Sequence, residues 1–283
     1  AEMMYEGLRY FGGESGPTPA YSVTSATDEF SSFVTADKLN LPLPSWTDPY
    51  RSEAGGGYPY CSKPFELVIA DAPSFDTDQL PGVDANFGIG ISSDISGLDV
   101  ASIGGLIWNN EDGPGIKNIF IGQSKNDDDS APTPKSVNSF GNIRGLAPEE
   151  PTRQGGYYAA SVAYFGKTTG ILRQVYMDNS GSTSPYTVRT DTFGVALSSP
   201  LPTIDIPMAN DKKITVVPFA KSVGGSGISA TGQFQPTNTI VDFFVEAIAN
   251  TGIGNNDSSI NGGRPYVKFR INYEDSEYGS DHD

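Results

Sequence analysis

Apolar and polar positions change rhythm near residue 64. Before it, Gly12-Gly13, Gly55-Gly56-Gly57 and Pro17, Pro19, Pro42, Pro44, Pro49, Pro59 and Pro64 break every run. That punctuation predicts an extended N-terminal arm or long loops over 1–64, laying Tyr5, Tyr10, Phe11, Trp46 and Tyr50 on a core. One short helix is expected from Thr27, which would cap a first turn holding Asp28 and Glu29. Phe30, Phe33 and Val34 then share its inner face.

After residue 64 short apolar runs alternate with Gly, Pro, Asn and Asp clusters. Strands are predicted over 65–70, with Phe65, Leu67 and Ile69 on one face, and over 87–91. The runs 103–108 and 116–122 read as a hairpin around a turn at 109–115, and 157–165 and 171–177 as another around 166–170. Further strands are predicted over 186–197 and 213–219, where Pro218 marks an edge or bulge.

The pattern is clearest over 240–249 and 265–273. Val241, Phe243, Val245 and Ala247 share a face of the first, and Val267, Phe269, Ile271 and Tyr273 a face of the second. If the two pair, Lys268 and Arg270 meet Asp242 and Glu246 across the sheet. The connection 250–263 is polar and glycine-rich and reads as an exposed loop. Nine or ten such strands fit an all-β fold, an antiparallel β-sandwich best matched by a jelly roll. The sandwich would span 65–273, between the arm and an acidic tail over 274–283. A stretch at 124–156 rich in Pro, Asp, Ser and Gly reads as a linker between two smaller sandwiches or as one long crossover.

Composition supports this and narrows function. The chain of 283 residues has 33 glycines and 21 prolines, which disfavours long helices. Aromatics at 11% supply a core. With 34 acids against 18 bases the net charge is −16, which repels nucleic acid and anionic membrane surfaces. The single histidine, His282, sits in the tail and the single cysteine, Cys61, forms no intrachain disulfide. Triads, thiol–imidazole pairs and imidazole metal sites therefore lack their parts. No run reaches the ~20 apolar residues of a membrane span.

Asn126, Asp127, Asp128 and Asp129 put four oxygen donors in a row, the donor type calcium takes, and are the candidate metal ligands. Asn109, Asn110, Glu111 and Asp112, and Asn255, Asn256 and Asp257, are weaker versions. None has the EF-hand spacing, and turn geometry alone also selects Asn and Asp. Asp242 and Glu246 would stand about 13 Å apart along a strand, too far for a glycosidase pair. Trp46, Trp108, Tyr58, Tyr60, Tyr157 and Tyr158 could offer stacking faces to a sugar, although tryptophan ordinarily packs cores.

No catalytic or cofactor signature emerges, calcium apart. The expectation is a non-enzymatic subunit that assembles with copies of itself and other subunits, in a virion as a capsid protein or in an extracellular filament. It would make no direct contact with nucleic acid and no membrane insertion. The alternative is an adhesin or receptor-binding module that holds a glycan.

Overall fold

A computed structural model describes residues 1–19, 45–70, 79–87, 90–111, 113–127, 133–146, 155–177, 181–196, 204–207, 212–216, 238–252, 254, 256–275 and 280–282. In chain order its elements are α1 (Glu2–Gly12), β1 (Phe65–Ala70), α2 (Val100–Glu111), β2 (Lys117–Ser124), β3 (Thr133–Val137), β4 (Ile143–Leu146), α3 (Tyr158–Thr168), β5 (Ile171–Tyr176), β6 (Thr183–Val188), β7 (Asp191–Ala196), β8 (Ile204–Pro207), β9 (Lys213–Val216), β10 (Asn238–Ala249), β11 (Tyr266–Asp275) and β12 (Ser280–His282). Strands predominate, as expected, but three segments read as arm or strand are helical. The helix expected at Thr27 lies outside the described residues.

The chain divides into two compact units. The first takes Ala1–Val68, Asp78–Ile103 and Tyr158–Val195. Its α1 corrects the reading of 1–64 as arm and loops with a single short helix near Thr27. Met4, Tyr5 and Leu8 recur at helical spacing and are buried, and Gly13 closes the helix at φ 89, its N–H bonded to Tyr10 O at 3.1 Å. The Gly12-Gly13 pair is thus a helix stop rather than loop filler.

In α3, Tyr158, Val162 and Phe165 stack on one buried face, a spacing of four and three that strand alternation cannot supply. The predicted hairpin of 157–165 with 171–177 is accordingly wrong: Gly170, at φ 74, ends the helix, and β5 pairs antiparallel with β6 instead. These helices share one core with Leu80, Ile95, Leu98, Val100 and Ile171. Beyond β6, the predicted strand 186–197 splits at Arg189 and Thr190, and β7 joins β1 in a two-stranded sheet. The segment expected as a strand at 87–91 forms none among its described residues.

The second unit takes Ile69–Thr77, Gly104–Tyr157 and Ala196–Asp283. The predicted strand at 103–108 lies in α2. Asp99 caps this helix, its Oδ1 accepting from Ser102 N at 2.8 Å. Gly104 lets α2 approach the chain at 140–142: a Cβ there would stand 2.6 Å from Gly141 N. Trp108 is fully buried, meets Phe140 edge-on with centroids 5.0 Å apart, and donates its indole N–H to Gly115 O at 3.0 Å.

Strands β3, β2 and β4 form one antiparallel sheet in that order, so 124–156 contains folded strands. Strands β8 and β9 pair in a second sheet, and β10, β11 and β12 form a third. No helix among the described residues is long and apolar enough to cross a membrane.

Candidate interaction surface

The predicted pairing of the last two long strands is present, and its register decides what the sheet displays. Residues opposite one another in an antiparallel pair share a face. The partners are Ile240–Tyr273, Phe243–Ile271, Val245–Phe269 and Ile248–Val267 on one face. On the other they are Asp242–Asn272, Phe244–Arg270 and Ala247–Lys268.

Two register shifts, between Ile240 and Asp242 and between Val245 and Ala247, insert one extra residue each. Strict alternation therefore assigns Val241 and Ala247 wrongly, and the bulges replace them with Ile240 and Ile248. The result is a face apolar at all eight of these positions. Adjacent apolar pairs at 240–241 and 247–248 were the one available signal, and a period of two cannot choose within them.

The second bulge also places Glu246. Its carboxylate reaches Lys268 Nζ at 2.6 Å and Arg270 Nη2 at 3.2 Å. The hydrogen bond from Lys268 holds the Glu246 carboxyl below its ordinary value, and the same bond raises the lysine. The cross-strand charge match expected from the sequence is present at Glu246.

Among the described side chains several apolar ones on this sheet are open to solvent. Phe244 on one face is 55% exposed, while Val245 and Ile248 on the other are 42% and 57% exposed. Over 244–249 and 266–271, where side chains are described, no hydrophobic residue is buried. The first unit has a smaller counterpart on the β1–β7 sheet, where Phe65, Leu67, Phe193 and Val195 are exposed and the two phenylalanine rings lie 6.1 Å apart. The face predicted from Phe65 and Leu67 exists, but it points to solvent. Exposed apolar groups clustered in this way mark candidate contact surfaces.

The sequence-predicted ligands lie only partly within the described residues. Asn126 and Asp127 lie in an exposed turn after β2, where Asp127 N donates to Ser124 O at 3.0 Å; Asp128 and Asp129 lie outside the described residues. Asn109, Asn110 and Glu111 form the last turn of α2, and Asp112 and Asn255 are outside the described residues. Among the described residues no three His, Cys, Asp or Glu side chains group as a metal site. Of the candidate stacking residues, Trp108 and Tyr158 are buried, and Tyr157 stacks on Phe140 at 4.3 Å. Cys61 is exposed.

Sequence reasoning missed Asn250, which organises the loop after β10. Its Nδ2 donates to Ile260 O at 2.8 Å and Arg264 O at 3.1 Å, and its Oδ1 accepts from Asp257 N at 2.7 Å. Its φ of 57, in the left-handed region Asn tolerates, lets the strand turn there.

Residues 1–166 match the family model described as PilY1 homolog, second domain, and residues 206–283 match PilY1 homolog, beta-sandwich. The chain belongs to the PilY1 homologue family. It is 46% identical over its whole length to a type IV pilus biogenesis factor PilY1 homolog of Xylella fastidiosa (strain Temecula1 / ATCC 700964). The match spans 18% of that relative, so the chain corresponds to a small part of it. No solved structure matches.

Membership of the PilY1 family overturns the expectation of a capsid or virion subunit, and with it the self-assembling filament. The features behind that expectation were long loops, aromatic segments, turn-rich strands and no catalytic motif. They describe any β-rich protein that works by contact, and nothing in them points to a virion. Of the sandwich expected over 65–273, the second family match supports a β-sandwich over 206–283, without showing a jelly roll.

Proposed function

We propose that the chain is a module of a type IV pilus biogenesis factor, working at the cell surface or outside the cell through contacts with other assembly components rather than by catalysis. The observation that carries this is 46% identity across all of the chain to a relative named for pilus biogenesis. Two PilY1 family matches, over 1–166 and 206–283, support it independently of that relative. The exposed apolar side chains agree with work done by binding.

An in-frame deletion of the segment encoding residues 1–283 from the full-length gene tests the reading. Secreted levels are followed by immunoblot and surface pili are counted by electron microscopy. Loss of pili with the truncated protein still made and exported is the expected outcome. Normal piliation would remove the proposal.

A further inference from the structure

A cleft of about 270 Å³ opens in the first unit between residues 61–64 and the stretch 186–189 at the end of β6. Both walls are fixed from behind. Tyr50, buried with Val175 and Val188, donates its hydroxyl to Ser62 O at 2.6 Å. Tyr60 meets Tyr186 edge-on with centroids 5.3 Å apart. Arg189 donates its Nε–H to Thr168 O at 3.2 Å, and a Cβ on Gly170 would stand 2.9 Å from Arg189 Cγ.

The charge of the lining runs against that of the chain. Acids outnumber bases 34 to 18 overall, yet the charged residues lining the cleft are Lys63 and Arg189, both bases. Lys63 is only partly neutralised, because it shares the Asp191 carboxylate with Lys167. The Arg189 guanidinium meets a carbonyl through Nε, and among the described residues its Nη groups have no partner. Three bases thus stand with one acid. Ser62 and Thr187 add two hydroxyl-bearing side chains to the same lining.

We propose that this cleft binds a small oxyanion, a carboxylate or phosphate group, held between Arg189 and Lys63 with Ser62 and Thr187 as further donors. The volume equals about nine waters at ~30 Å³ each, room for one charged group on a short stem. A chain of net charge −16 repels anions elsewhere, so the local positive excess is what draws the ligand here. The proposal goes beyond the assembly reading and does not depend on it.

Cys61 lines the same cleft, is exposed and is the single thiol of the chain, so it reports on the site directly. The purified chain is treated with a doubly anionic aromatic disulfide and with a neutral one, each rate taken relative to that with a free small thiol. The anionic reagent should be favoured, by about threefold for each cation it meets. Inorganic phosphate and glutarate, titrated separately at constant ionic strength, should slow modification by the neutral reagent and saturate. The anion that saturates at the lower concentration tells phosphate from carboxylate.

Lys63→Gln with Arg189→Gln, both at exposed positions, should abolish the reagent preference and the protection, with the circular dichroism spectrum unchanged. Lys212→Gln with Lys213→Gln removes the same charge outside the cleft lining and should change neither. Three outcomes overturn the proposal: no preference for the anionic reagent, no protection of Cys61 by either anion, or protection that survives in the Lys63 and Arg189 variant.

Discussion

Glu66 shows how much a single position can reveal. It alternates with exposed Phe65 and Leu67, so it points inward to α1, where a Cβ on Gly7 would collide with its carboxylate. Burial pushes its carboxyl up to about 7, and the hydrogen bond from Thr192 Oγ1 at 3.3 Å pulls only weakly the other way. The folded chain therefore keeps a proton that the unfolded chain, near 4.5, has released. Stability contributed by Glu66 is complete below about 4.5 and is lost as pH rises through about 7. Because the group is partly exposed, the loss is on the order of 1–2 kcal/mol. Glu66→Gln should match wild type at pH 4 and exceed it by that amount at pH 8 in denaturant melts; an unchanged pH slope would refute this origin.

At this scale the sequence was partly legible. Glu246 with Lys268 and Arg270 was readable because strand alternation brings local patterns face to face. Arg9 was not. It is buried and its Nη2 reaches Asp94 at 2.7 Å, a partner 85 residues away that no local spacing announces.

Among elements, α2 and α3 were misread for a common reason. Ile103, Ile107 and Trp108 are residue types that strands favour, and Gly104-Gly105 are poor helix formers. The helix signal was Asp99 as cap, and the glycines serve packing. Gly104→Ala should cost about 2 kcal/mol even though alanine normally gains about 1 kcal/mol inside a helix, because its Cβ would meet Gly141 backbone. Gly105→Ala, whose Cβ would meet only Ser139 Oγ at 3.3 Å, should be near neutral or stabilising. Equal thermal midpoints for the two variants would contradict the close approach. The β10–β11 pair was legible in position and pairing but not in facing, since two inserted residues reset the phase without changing composition.

For the whole molecule, the acidic charge and the scarcity of imidazole and thiol groups narrowed the chemistry that the sequence led one to expect. Which contacts the chain makes was not legible, because assembly surfaces carry no fixed residue signature of the kind a triad or metal site does. The central claim, made under the proposed function, is that this chain is a contact module of a pilus biogenesis factor.

The most direct measurement is a count of surface pili on cells whose full-length protein lacks residues 1–283, with export checked by immunoblot. The account predicts few or no pili at normal protein level. Wild-type piliation with normally exported protein would contradict it.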